Sequence, residues 1–506
     1  MVAGEVVTRR PGGRTARGGL LALLLAAAGC GGGEATVLYV NDAHEIAPVV
    51  DRHGERGGVA RLKTVVDRLR RERPGALFVF GGDLAGGTLF GGVFRGEPMV
   101  DALARAGVSL ASFGQHDFDF GAGHARRLVR RSAFAWTTAN LVEADGGPFA
   151  GLPTRRLLRL SGRRVGFVGL TDDFETTLQE GTVRQEELVP AARREATALK
   201  REGAEAVVAL TQASPDVNER LLREVPLLDA ILTEEQSESA SVVRFVGGRP
   251  IASPCGNLGS VVALTLSGTR GAIRASVAAH PVDATVPPDP ALAETERRYT
   301  ALLHERLSAP IGALAAPLPA EGSRQHETGL GNLVADAFRE ATRADVALVA
   351  GSSLRAGLPA GTLTKRHAVA VLPFGNRVVL LETSGAALRA TLERGLGVSP
   401  RGSASLLQVS GLTYAADLSA PAGERLLEVT VGGAPLRDDA LYRVAASSHL
   451  AAGGDGFAEL ASSRRLAPGE GEPLDADALS ACLGRRAAAG PAAPPLPGRI
   501  SLRPTG

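Results

Sequence analysis

The sequence predicts an α/β protein with two domains, and three observations carry that expectation. From Thr36 to about Ala279, apolar runs of strand length alternate with amphipathic helical patterns. Residues able to do chemistry follow directly on the ends of those runs, which is where α/β proteins gather their ligands. Around residues 281–290 the pattern gives way to a Pro-rich stretch, and a new α/β pattern begins afterwards.

Taken in order, the N-terminus comes first. Arg9, Arg10, Arg14 and Arg17 precede an apolar run over residues 20–28 that is too short to span a bilayer but suits the core of a signal peptide. The run ends Ala27-Ala28-Gly29-Cys30 and continues into Gly31-Gly32-Gly33, which resembles a bacterial lipobox with Ala27 in place of the usual Leu. Cleavage there would leave Cys30 as the first residue, lipidated on its thiol. Residues 1–30 are therefore expected to be a lipoprotein signal peptide. The chain is expected to be exported and lipid-anchored to a bacterial membrane, on the periplasmic or outer-membrane face.

Residues 37–40, 76–80, 164–170, 206–210 and 230–232 read as buried strands, and 59–71 and 191–202 as helices. Asp42 follows the first strand, Asp83 the second, and Gln212 and Glu234 two later ones. After the Pro-rich break, residues 291–308 read as a polar helix. From Ile311 onward the landmarks are Glu327-Thr328-Gly329-Leu330-Gly331-Asn332-Leu333 opening a helix, the stretch 350–355, Leu372-Pro373-Phe374-Gly375-Asn376, and Gly453-Gly454-Asp455-Gly456-Phe457. The expected domains are 31–285 and 313–506, joined by a linker helix over 286–312.

Composition excludes little beyond this. The 506 residues suffice for two or three full cores, and a net charge of +2 gives no reason to expect a nucleic-acid partner. Cys255 and Cys482, the two cysteines of the mature part, form no disulfide framework.

The chemistry lies in three intact stretches of the first half: Asn41-Asp42-Ala43-His44, Gly81-Gly82-Asp83 and Gly114-Gln115-His116-Asp117-Phe118-Asp119. Two divalent metals close together need a bridging carboxylate, further O and N ligands and a general acid. Asp42 and His44 offer an oxygen and an imidazole from one turn, and Asp83 follows a Gly-Gly that lets backbone approach closely. His116 with Asp119 is an imidazole that a carboxylate can orient and charge, as a phosphate-ester leaving group requires.

The order and spacing of these residues resemble the calcineurin-like metallophosphoesterases, specifically the periplasmic and cell-surface 5′-nucleotidase family, over nearly the whole mature chain. The resemblance implies a four-layer α/β/β/α sandwich followed by a second α/β domain that holds the nucleotide. It implies that Asp42, His44 and Asp83 bind metal with Asp83 bridging, that His116 and Asp119 are the catalytic pair, and that a metal-bound hydroxide attacks the phosphate ester. It further implies a monomer acting on a small-molecule nucleotide or phosphate ester. In the second domain it places Arg324 and Arg355 on the phosphate or ribose side, Phe374 and His449 around the base, Asn376 beside the base and Asp455 on the ribose hydroxyls.

Several positions depart from the family pattern. Gln115 stands where the family has a ligating Asn, Gln212 where it has a His, and Thr233-Glu234-Glu235-Gln236-Ser237-Glu238 where it has a Gly-His-x-His or Gly-His-x-Gln loop. No His occurs between His124 and His280, so the second metal site lacks imidazoles. Glu235, Gln236 or Glu238 could supply oxygens instead, or the second metal is lost and Glu234-Glu235 is a solvated loop. An oxygen-rich site holding one or two ions favours Mn²⁺ or Mg²⁺ over Zn²⁺. Ala350 stands where the family has Asn, and His449 where it has Phe. The leading expectation is thus a hydrolase of phosphoric ester bonds. The alternatives are a degenerate, non-catalytic nucleotide- or anion-binding lipoprotein, or a phosphatase with a non-nucleotide substrate.

Overall fold

The computed structural model describes residues 33–51, 53–86, 88–172, 183–397, 406–466 and 472–503. Cys30 lies outside them. The chain divides into two compact units, one built mainly from residues up to Tyr299 and the other mainly from Thr300 onward. The division falls inside the helix Pro290–Ser308.

The first unit contains two six-stranded sheets. One runs in the order Ala272–Pro281, Ser260–Thr269, Ala35–Val40, Leu77–Phe80, Leu110–Ala111 and Ala135–Trp136; the last four strands are parallel to one another. The other runs Val242–Val246, Arg249–Ser253, Ala230–Thr233, Ala206–Gln212, Arg163–Thr171 and Arg156–Leu160, with four parallel strands at its centre. Strand periodicity decides what each face buries. In the second sheet Val165, Phe167, Ala206, Val208 and Leu210 face Val37, Tyr39 and Val79 of the first, forming an apolar layer between the sheets. Their alternates Val168, Leu170, Val207 and Ala209 pack outward against helices Leu188–Arg201 and Pro215–Glu224. Helix Val59–Glu72 packs on strand Ser260–Thr269 of the first sheet. The layers are therefore helix, sheet, sheet, helix. Both central strand sets are covered on two faces, which is why they read as continuous apolar runs.

The helix expected over 191–202 starts earlier, at Leu188, and includes Pro190 in its first turn. Proline is tolerated there because the first N–H groups of a helix have no intrahelical partner.

The second unit has a five-stranded sheet in the order Leu407–Ser410, Val346–Ala350, Leu441–Ser447, Val378–Ser384 and Arg464–Leu466, and a four-stranded sheet. The helix-opening motif turns out to hold this unit together. Thr328 caps helix Gly329–Thr342, its hydroxyl accepting from Gly331 N at 3.0 Å. The Glu327 carboxylate accepts backbone N–H groups of Gly498, Arg499 and Ile500 at 2.8–3.0 Å and the Asn332 amide at 2.6 Å. It thereby anchors the last strand, Ile500–Arg503. One turn along, Asp336 pairs with Arg499 and Arg486.

Replacing Glu327 with Ala strands three backbone donors. The expected loss is on the order of 3 kcal/mol, read as a lower denaturant midpoint, and Glu327→Gln should lose less. No loss with either variant would show that the strand is held by other contacts.

Candidate functional site

The C-terminal ends of the parallel strands in the first unit carry the candidate site. Two loops are stitched together there: Asp42 N–H donates to Gly82 O at 3.0 Å, and Ala43 N–H to Asp83 O at 2.9 Å. Asp42 and Asp83 both adopt left-handed backbone, with φ of 48° and 66°. Asp tolerates this region better than most residues, but the conformation still costs of order 1 kcal/mol and persists where surroundings enforce it. Gly114 lets the chain approach closely: a Cβ there would lie 2.0 Å from Asp83 Oδ1.

Among the described residues, Asp42, His44 and Asp83 form a buried group whose ligand atoms all lie within 4.8 Å of one another. His44 Nδ1 lies 3.0 Å from Gly86 O, so the proton sits on Nδ1 and Nε2 is left as a lone-pair donor, 3.7 Å from Asp42 Oδ1. Asp42 Oδ2 accepts from the Asn41 side chain and from Glu235 N at 3.1 Å. Asp83 Oδ1 accepts from His116 N at 2.8 Å.

The His116–Asp119 pair is formed, with Nδ1 and Oδ2 2.8 Å apart. This leaves His116 Nε2 as the outward ring atom. Asp119 fits only because residue 86 is Gly, where a Cβ would lie 1.9 Å from Oδ2. Burial opposes charge on His116, but the Asp119 carboxylate outweighs it and raises the imidazole to about 10. The ring stands edge-on to His44, centroids 5.5 Å apart.

The loop after strand Ala230–Thr233 is half-buried rather than solvated at Glu234 and Glu235. Burial raises the Glu235 carboxyl to about 10, helped by the neighbouring Asp42. Burial raises Glu234 to about 7, with Glu235 adding to it. Asp83 is likewise raised by burial to about 7, and Asp42 is pushed well above the ordinary range for the same reason. Gln212 ends strand Ala206–Gln212 fully buried, and neither of its side-chain polar atoms has a hydrogen-bond partner among the described residues. Glu235 Oε2 and Gln236 Nε2 are in the same condition. Buried polar groups are normally satisfied. Clustered acids and the unpartnered oxygens of Gln212 and Glu235 together fit a divalent cation, and a donor set of two Asp, one Glu, one Gln and a single imidazole suits a hard ion.

Glu238, expected as a possible ligand, is placed elsewhere. It is exposed, and its carboxylate is taken by Arg56 Nη2 and Asn257 Nδ2, each at 3.0 Å. Gln115 is half-buried at the start of the short turn His116–Phe118. Sequence reasoning missed Asp117. Its buried carboxylate accepts backbone N–H groups of Asp83, Leu84 and Gly114 at 2.9–3.0 Å, so it clamps the two loops that carry Asp83 and His116. A second carboxylate in the same turn as His116 and Asp119 was the available signal. His124 is buried with Nε2 2.7 Å from Arg95 O.

In the second unit the candidate residues meet at one edge of the five-stranded sheet. Phe374 is exposed, with the Arg355 guanidinium carbon 5.9 Å from its ring centroid. Asn376 Oδ1 accepts from Ser448 Oγ at 3.3 Å. Asp455, at φ 55°, accepts from Ser352 Oγ at 2.7 Å and lies 3.6 Å from His449 Nε2. His449, Ser352 and the Arg324 charge hold its carboxyl below the usual range.

Residues 310–462 match the family described as 5′-nucleotidase, C-terminal domain. The snake venom 5′-nucleotidase of Gloydius brevicauda is 26% identical over 484 residues, covering 84% of this chain and 82% of the relative. The 5′-nucleotidase of Bos taurus is 24% identical over 486 residues, covering 84% of each. Among solved structures, the 5′-nucleotidase precursor from Thermus thermophilus has a TM-score of 0.65 at 26% identity, over 93% of this chain and 99% of that one. A putative 5′-nucleotidase from Staphylococcus aureus in complex with alpha-ketoglutarate has a TM-score of 0.74 at 17% identity, over 93% and 100%, a likeness of fold. Residues 310–462 thus match the 5′-nucleotidase C-terminal domain, and over most of its length the chain is similar to 5′-nucleotidases in sequence and in fold.

Proposed function

We propose that the protein is an exported, metal-dependent phosphoesterase that hydrolyses nucleotides in the manner of a 5′-nucleotidase. The observation that carries this reading is the convergence of Asp42, His44 and Asp83 beside an imidazole already paired with a carboxylate. A bound divalent cation supplies charge for the phosphoryl oxygens and a lowered pKa for water. Asp42, His44 Nε2 and Asp83 would hold it, with Glu235, Gln236, Gln115 and Gln212 as further oxygen donors. Asp119 orients His116 through Nδ1, so the Nε2–H is the proton available to the leaving oxygen. Arg324, Arg355, Phe374, Asn376, His449 and Asp455 would hold the nucleotide.

A second reading has an observation of its own. No His occurs between His124 and His280, so Gln212 and the loop 233–238 would hold a second cation more loosely than a His-rich site would. A chain that binds ligand without hydrolysing it is the outcome if that cation is lost altogether.

Metal analysis of the purified protein, beside hydrolysis of adenosine 5′-monophosphate and an aryl phosphate, decides between the two. Activity is expected with Mn²⁺ or Mg²⁺ and poor response to Zn²⁺. Asp83→Asn should cut metal affinity and hydrolysis by more than about 100-fold. Full activity after chelation would refute metal chemistry, and absence of both metal and turnover would favour the binding protein.

The raised carboxyls give a signed pH prediction. Asp83 and Glu234, at about 7, and Glu235, at about 10, hold protons at neutral pH that a cation must displace. Mn²⁺ binding should therefore release protons and tighten as pH rises from 6 to 8. Calorimetry in buffers of different ionisation enthalpy measures the release; none would show that the carboxylates are already ionised.

Membrane attachment through Cys30 belongs to the same proposal, and its support is the apolar run over residues 20–28 that ends in Ala27-Ala28-Gly29-Cys30. Cys30→Ser should move the protein from the membrane to the soluble fraction, and a variant that stays with membranes would rule out the lipid anchor.

A further inference from the structure

We infer that Tyr39 is a positioning residue of the cation centre: its buried phenol donates a hydrogen bond to an oxygen gathered there when a divalent cation binds, and so tightens binding of that cation. This rests on the proposed reading of Asp42, His44 and Asp83 as a cation site. Tyr39 lies on strand Ala35–Val40, three residues before Asp42, and no part of it is exposed. Its ring belongs to the apolar layer between the two sheets of the first unit, with Val79, Leu210 and Leu232. The strand runs parallel to Leu77–Phe80, with Tyr39 opposite Val79. A Cβ on Gly81 would lie 2.0 Å from Tyr39 Oη, so the hydroxyl takes the space a side chain would fill there. Gly81 N–H donates to Val40 O at 2.8 Å, which fixes that spacing. The hydroxyl therefore stands at the strand end from which the loop carrying Asp83 departs.

A Phe would fill the same apolar space. The hydroxyl adds a fully buried polar atom that has no hydrogen-bond partner among the described residues. Leaving such a group unpaired costs stability, and nearly all buried polar groups are satisfied. Burial, and after it the charges of Asp42, Glu234, Glu235 and Asp83, oppose ionisation of the phenol, so it keeps its proton and is a donor. The same four acids border the candidate cation site. Cation binding requires ionised carboxylates, and hard cations gather oxygen ligands, so binding brings charged acceptors to this strand end. A hydrogen bond to a charged acceptor is about twice as strong as a neutral one. The phenol thus costs stability without the ion and returns it when the ion is bound. Gln212 and Glu235 Oε2, also buried and unpartnered, share that condition at neighbouring strand ends.

Tyr39→Phe isolates the hydroxyl and leaves the packing intact. Parent and variant, stripped with a chelator and dialysed, are compared in three ways. Mn²⁺ affinity is measured by calorimetry, thermal unfolding is followed with and without saturating Mn²⁺, and the tyrosine ultraviolet difference spectrum is recorded on adding Mn²⁺. The stripped variant should unfold at a higher temperature than the stripped parent. It should bind Mn²⁺ about tenfold more weakly, the lower end of what losing an outer partner of a metal site costs, and gain less from the ion in thermal stability. The parent should show a tyrosine difference signal that the variant lacks; the chain has four tyrosines, so comparison of the two assigns it. A stripped variant less stable than the stripped parent would show that the hydroxyl already has a partner without the ion, which overturns the inference. Equal or tighter Mn²⁺ binding by the variant, or no tyrosine signal in the parent, also overturns it while leaving the cation site standing. If the parent itself binds no Mn²⁺, the proposed function falls and this inference with it.

Discussion

Four carboxylates, Asp42, Asp83, Glu234 and Glu235, are crowded into the buried edge where the parallel strands of two sheets end, and the first unit is organised around that crowding. Charge of one sign in a low-dielectric place is unfavourable unless an opposite charge joins it. The protein's own answer is partial. His116 is held protonated, but by Asp119. The remaining strain shows in the carboxyls, which retain protons far above their ordinary range. A divalent cation removes all of it at once. The left-handed backbone at Asp42 and Asp83 and the Asp117 clamp across three N–H groups are the structural means of holding that arrangement ready.

The parallel core of the first unit was legible because its strands are covered on both faces and so appear as unbroken apolar runs. The edges were not. Strand Ala272–Pro281 is largely exposed along its length, and an exposed ladder carries no hydrophobic signature. Similarly, the positions of Asp42, His44, Asp83 and His116 followed from their place after strand ends, whereas Asp117 did not. Its role is to accept backbone N–H groups from two loops, and those partners are 3, 33 and 34 residues away. Glu238 shows the opposite limit. Three acids stand within five positions of one loop, and nothing in that spacing tells which face inward; burial of Glu235 and the Arg56 partner of Glu238 decide it.

In the second unit, the motif residues divide into two kinds that look alike in sequence. Glu327, Thr328, Asn332 and Asp336 spend their polar groups on the fold, tying the last strand and the helix to one another. Asp455 and Arg355 keep theirs at the sheet edge, where Phe374 exposes its ring. The distinction is one of satisfaction. Glu327 is almost buried and its oxygens are committed to four donors, whereas Asp455 is partly exposed with lone pairs to spare.

Under the proposed function, Gln212 and the acids of the loop 233–238 would offer a cation oxygen atoms where imidazoles would offer nitrogen. An imidazole adds a neutral nitrogen that competes well for Zn²⁺; a carboxylate adds negative charge and an amide adds only a dipole. Such a site would trade the selectivity of nitrogen ligands for carboxylate charge. Its affinity must then depend more steeply on pH than that of a His-rich site, because each ligating carboxylate must first give up a proton that burial holds on it. Under that reading, cation binding would depend on the pH at which the ion is offered as well as on which ion it is.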